Sequence, residues 1–296
     1  MTSGKNALVS ARVRNSPYNS FGKCIYCSAE GVPLTDEHII PLSLQGQLVI
    51  DDACCTSCQM TIGRYETQVI KTLELFRARY KLWRYRPNKA KKAYIFNVKR
   101  SDGSLGRARI PIEEMPATAW LYKFGQANIL KGKPPFDPTF EWLPVAMSDG
   151  SHLKLAMEKY GWDGQLKMRT VPEQYARMLA KIGYGYAVAE LGLEAFEPLC
   201  LDIVLNKPAI CSYLVGGSWT LKDKPETTSD HFIAIGRASS PTANPLVVVF
   251  IRLFQQMQGA PHHHVVVGRL KTLEQIDRMA KYLEDQGTEA QASDWI

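Results

Sequence analysis

The sequence lacks any hydrophobic run long enough to cross a bilayer. Its most apolar stretch, Pro245–Ile251, ends at Arg252 and falls far short of the roughly 20 residues that a spanning helix needs. Met1–Ser20 is polar and has no apolar centre of the kind found in a secretory signal, so the expected setting is cytoplasmic, with no membrane partner. There is no Walker loop, no G-x-G-x-x-G turn and no G-x-S-x-G elbow, which sets aside P-loop, dinucleotide and hydrolase-elbow chemistry. Acid is nearly absent from one region. Arg77–Arg109 carries twelve Lys or Arg and a single acid, Asp102, while the whole chain has a net charge of only +7, so the remainder is net acidic. At 296 residues, 45% hydrophobic and 22% charged, the chain is long enough for a sizeable core and two domains.

Cysteine is scarce over most of the chain and concentrated in one place. Five of the seven cysteines lie between Cys24 and Cys58, and four of them form two C-x-x-C pairs, Cys24/Cys27 and Cys55/Cys58. Paired knuckles a few tens of residues apart present four thiolates to one tetrahedral zinc ion. Cys54 is an alternative to Cys55, although the spacing to Cys58 favours Cys55. Without a secretory signal, such pairs point to metal binding rather than to disulfides. Cys200 and Cys211 lie in apolar surroundings and read as buried thiols.

Between the knuckles runs Glu37-His38-Ile39-Ile40-Pro41, then Gly46, and the second knuckle is followed by Gln59 and later by Glu66. In this order the segment resembles the HNH endonucleases of the ββα-metal superfamily, in the variant with E-H-I-I-P and a four-cysteine zinc site. The resemblance covers roughly the first quarter of the chain and departs at two positions. Asp51-Asp52 stands near the middle Asn of that pattern, and Gln59 stands where it has Asn or His. It implies an N-terminal zinc-stapled ββα finger and metal-dependent hydrolysis of phosphodiester bonds, DNA favoured. His38 would be the general base, and Glu37 and Gln59 would hold a catalytic Mg²⁺ or Mn²⁺. Asp36 and Glu66 would be in reserve, and the zinc would be structural.

The expected organisation is α+β: a basic arm over 1–20, the zinc unit over 21–78, a basic aromatic hairpin over 79–110, and a larger α+β domain with an antiparallel sheet over 111–296. Apolar residues at 62, 65, 69, 73 and 76 predict a helix to about Ala78. Tyr94–Val98 and Arg107–Ile110 predict a hairpin around Asp102-Gly103. A short helix is expected at 117–124 in a proline-rich connection, and a long one at 173–191 with Gly192 as its C-cap. Three strands follow, at 231–235, 246–253 and 263–267, and then a helix from Leu273. His262-His263-His264 cannot all converge on one ion from a strand, because successive residues alternate faces.

Arg84, Arg86, Lys89, Lys91, Lys92, Lys99 and Arg100 are the expected nucleic-acid contacts. Two other readings stay open. One is a catalytically silent zinc module that binds nucleic acid. The other is a nuclease effector governed by a C-terminal domain that senses a signal, binds a partner protein or forms a homo-oligomer.

Overall fold

The computed structural model describes residues 18–79, 93–99, 102–116, 118–148, 150–162, 169–218, 230–239, 244–257 and 259–286. Most of the expected basic arm, together with Arg84, Arg86, Lys89, Lys91, Lys92 and Arg100, lies outside them.

Strands β1 (Leu34–His38) and β2 (Val49–Cys55) form an antiparallel pair that leads directly into helix α1 (Thr56–Thr72). Cys58, Ile62, Tyr65 and Val69 make the buried stripe of α1, at the spacing the sequence predicts. The helix does not continue unbroken to Ala78. Its backbone tightens at Leu73, whose N–H turns back to the Ile70 carbonyl at 3.2 Å, and α2 (Glu74–Arg79) resumes after it. The loop between β1 and β2 closes so tightly that a Cβ on Gly46 would lie 1.8 Å from the Ile40 carbonyl oxygen, so only glycine fits there.

β3 (Ala93–Lys99) and β4 (Leu105–Pro111) form the expected hairpin. The next segment departs from expectation. Thr118–Phe124 is not a helix but a strand, β5, paired with β6 (Trp142–Ser148). Five of its seven residues are buried, so the two-residue alternation that marks a half-exposed strand is missing. Pro144 sits in β6, where an edge strand has a free side for a residue without an N–H. Helix α3 (Gly150–Tyr160) follows, and the sequence pattern does not announce it.

Helix α4 (Pro172–Leu191) is the centre of the fold. Val171, Pro172 and Gly192 bound it as predicted, and fourteen of its twenty residues are buried. One side packs on α1 and the other on a five-stranded antiparallel sheet. A Cβ on Gly183 would come within 3.1 Å of the Val265 side chain, so glycine there lets the helix approach the sheet closely. After α4 come β7 (Glu197–Pro198), α5 (Leu201–Val204), α6 (Cys211–Leu214) and β8 (Val215–Ser218). Then follow β9 (His231–Ala238), β10 (Leu246–Leu253), β11 (His262–Arg269) and α7 (Leu273–Asp285). The sheet runs β7-β11-β10-β9, with β8 also on β11. One continuous buried cluster runs from Cys24 through α4 and this sheet to Met279. Among the described residues no helix is long and apolar enough to cross a membrane.

The histidine triplet fastens β11 to its neighbours. His263 Nε2 lies 2.7 Å from the Tyr122 carbonyl, and His264 Nε2 accepts the Ala127 N–H at 3.1 Å. Burial pushes the two rings down to about 4 and about 3 respectively, so both are neutral in the fold. An unfolded histidine takes up a proton near pH 6.5, so below that pH the unfolded chain binds more protons than the folded one. Stability should therefore be full above about pH 6.5 and fall steadily towards about pH 4. Urea midpoints measured across that window check it. In His264→Gln, whose amide oxygen can still accept the Ala127 N–H, the fall should be shallower; an identical pH profile would contradict this account.

Candidate functional site

The β1–β2–α1 unit brings two sets of groups together. The first is the cysteine cluster. Sγ atoms of Cys24, Cys27, Cys55 and Cys58 all lie within 4.8 Å of one another. A zinc ion bonded to four thiolates at about 2.3 Å sets neighbouring sulfurs about 3.8 Å apart. Cys27 and Cys55 stand 3.7 Å apart, so the geometry fits zinc. The Cys55 N–H points at the Cys24 sulfur at 3.4 Å, an interaction that stabilises a thiolate. The Cys24 thiol is accordingly held down at about 3, chiefly by the Cys54 thiol and then, against burial, by the backbone N–H groups of Cys55, Cys27 and Tyr26. Cys58 sits in the first turn of α1, where burial and the Cys27 sulfur push its thiol up, a shift that the charge of a zinc ion at the cluster would reverse. Cys54, one residue out of register, is no member of the set, which settles the choice between it and Cys55.

The second set surrounds Lys181, near the middle of α4. This lysine is 2% exposed. Its ammonium lies 2.5 Å from Glu37 Oε1 and 3.4 Å from Glu66 Oε1. It also donates to the carbonyl of His38, and to that of Ile39 at 3.3 Å. Burial alone would lower its pKa, but Glu37 and Glu66 outweigh burial and raise it, so the ammonium stays charged. Burial raises the Glu66 carboxyl, against the pull of Lys181. Three further polar atoms are buried here without a hydrogen-bond partner among the described residues: Tyr26 Oη, Tyr65 Oη and His38 Nδ1.

Strand alternation separates Glu37 from its neighbours. Glu37 turns inwards, whereas Asp36 is exposed and His38 half-buried. Asp36 accepts the Asp52 N–H at 3.2 Å, which pins the irregular step in the β1–β2 register. The pKa of His38 is lowered by burial and by the charge of Lys181, against Glu37 and Asp36, which favours the neutral, basic ring.

Gln59 is exposed on the first turn of α1. It precedes Glu66 by two helical turns, about 10 Å along the axis. Glu37 is thus brought to Glu66 and Lys181, with no bond to Gln59. Among the described residues the four cysteines form the only cluster of three or more Cys, His or acidic side chains that could hold a metal ion. Lys181 is the site residue that the sequence reading missed. Its signal was a lysine between Ala180 and Ile182 on a helix whose other face residues are apolar, a position that requires a buried anionic partner.

The β3–β4 hairpin forms a separate surface. Its inner side, including Phe96, Val98, Ala108 and Ile110, packs against Met115, Ala156 and Trp162. Its outer side exposes Asn97, Lys99, Arg107 and Arg109 with no acid among them, and Asn97 faces Arg107 across the pair. Ile95 and Leu105 are 68% and 82% exposed on the same side. Of the expected nucleic-acid contacts, Lys99 therefore lies on this face, and Arg107 and Arg109 join it.

Comparison of the chain with protein-family models, with curated proteins and with solved structures finds no match.

Proposed function

We propose that the chain is an HNH-type endonuclease that hydrolyses phosphodiester bonds in nucleic acid, with DNA favoured as substrate. The observation that carries this reading is the placement of His38: a half-buried ring of lowered pKa, one residue from Glu37, on the strand paired with β2, which runs into α1 through the four-cysteine cluster. Hydrolysis needs a base that can take a proton from water near pH 7, and a neutral imidazole does so. The zinc, saturated by four thiolates, has no open position and is structural. The test is nicking of supercoiled plasmid by the full chain beside His38→Ala.

The exposed cations of β3–β4 support nucleic acid as the partner. Phosphate contacts release counterions, so each one lost should reduce the salt dependence of log affinity by roughly 0.9 on duplex DNA. Replacing Lys99, Arg107 and Arg109 together by Ala should weaken binding to all sequences and flatten the slope. An unchanged slope, measured by fluorescence anisotropy between low and moderate salt, would remove this face from the interface.

One observation favours the second reading, a zinc module that binds nucleic acid without cutting it. Glu37 is neutralised by Lys181 rather than free to hold a catalytic ion. A parent chain that binds duplex but never nicks it, with any of Mg²⁺, Mn²⁺ or added Zn²⁺, would decide for that reading.

A further inference from the structure

We propose that Lys181 is the built-in cation of this site: its ammonium stands between Glu37 and Glu66, keeps a divalent ion out, and anchors the backbone that carries His38. Four oxygens approach one nitrogen. Two belong to carboxylates on β1 and α1, and two are the consecutive carbonyls of His38 and Ile39. Paired carboxylates joined by backbone carbonyls are the oxygen set by which Mg²⁺ or Mn²⁺ is held. Here a side chain supplies the positive charge from α4, a third element, and the charge cannot dissociate.

The arrangement has a mechanical consequence. Carbonyls 38 and 39 end β1, and the Ile39 N–H pairs with the Leu48 carbonyl at 3.0 Å. Lys181 therefore ties the end of β1 to the buried centre of the molecule, while the four cysteines tie β2 and the start of α1. The His38 ring is set between these two ties. The anchoring of His38 matters to catalysis only under the nuclease reading, whereas the exclusion of a divalent ion stands without it.

Mn²⁺ titration followed by electron paramagnetic resonance tests the exclusion on zinc-loaded full-length protein. The parent and Glu66→Gln should take up the same amount of Mn²⁺, because Glu66 faces Lys181 and no ion. Lys181→Ala removes the cation and leaves two facing carboxylates. It should gain one Mn²⁺ site, and Lys181→Ala/Glu66→Gln should lose it again. Mn²⁺ bound by the parent and lost in Glu66→Gln would overturn the proposal, as would a folded, zinc-loaded Lys181→Ala that gains no site. If Lys181→Ala does not fold, the comparison of parent with Glu66→Gln still decides.

Anchoring is read separately. Lys181→Met should lower the nicking kcat at least tenfold at unchanged KM and unchanged zinc content, and equal kcat would overturn that part. A parent chain that does not nick at all would instead count against the nuclease reading, leaving the Mn²⁺ result to stand by itself.

Discussion

Cys55→Ser should lose its zinc and, with it, the folded β1–β2–α1 unit. Zinc held by four thiolates contributes about 10 to 16 kcal/mol to small metal-stapled folds at neutral pH. Whole domains are stable by only about 5 to 15 kcal/mol, so losing one of four ligands rivals everything else that holds this unit. The effect should spread, because the buried cluster that contains Cys24, Cys55 and Cys58 continues without a break into α4. Lys181 would then lose the partners that keep its charge acceptable in the interior. Zinc content by atomic absorption, together with the thermal unfolding midpoint, reads the result. Cys54→Ser is the control: Cys54 is buried beside the cluster but outside it, so zinc should remain near one per chain. Loss of zinc in Cys54→Ser with retention in Cys55→Ser would reverse the assignment.

His38→Ala should abolish cleavage and leave the fold in place. Removal of a general base typically lowers a rate by a factor of about 100 to 10,000, or about 3 to 5 kcal/mol in the barrier. The His38 side chain is half-buried and its Nδ1 has no hydrogen-bond partner among the described residues, so truncating it breaks no hydrogen bond to them at that nitrogen. The carbonyl of residue 38, which accepts from Lys181, survives the substitution. Zinc content, the unfolding midpoint and duplex affinity should therefore match the parent while single-turnover nicking collapses. A variant that cuts at the parental rate would exclude His38 as the base.

Those parts of the fold that follow from periodicity were legible before any coordinates. The apolar stripe of α1 carries a pattern set by burial on one face, whereas α4 shows a wide apolar face bounded by Pro172 and Gly192, and the three long strands show as runs rich in Val, Ile and Phe. β5 was not legible, because burial on both faces erases alternation and leaves Ala119, Trp120 and Leu121 looking like a helix turn. Spacing alone found the four clustered cysteines, since C-x-x-C fixes the geometry of a knuckle locally. The surroundings of Glu37 could not be found that way. Its partner lies 144 positions along the chain, on an element that only the packing of α4 against α1 brings near. Gln59 shows the converse. Its place after Cys58 suggested a ligand, yet its neighbour Cys58 takes the inward face of α1, so Gln59 faces solvent.

Central to this account is that the β1–β2–α1 unit is a nuclease site driven by His38. The most direct measurement is the initial rate at which the zinc-loaded full chain converts supercoiled plasmid to open circles, with Mg²⁺, with Mn²⁺ and with neither, beside His38→Ala prepared identically. The account predicts open circles from the parent under at least one of these conditions, and a rate at least about 100-fold lower from the variant under that same condition. No open circles from a parent that binds the plasmid, or equal rates from parent and variant, would contradict it.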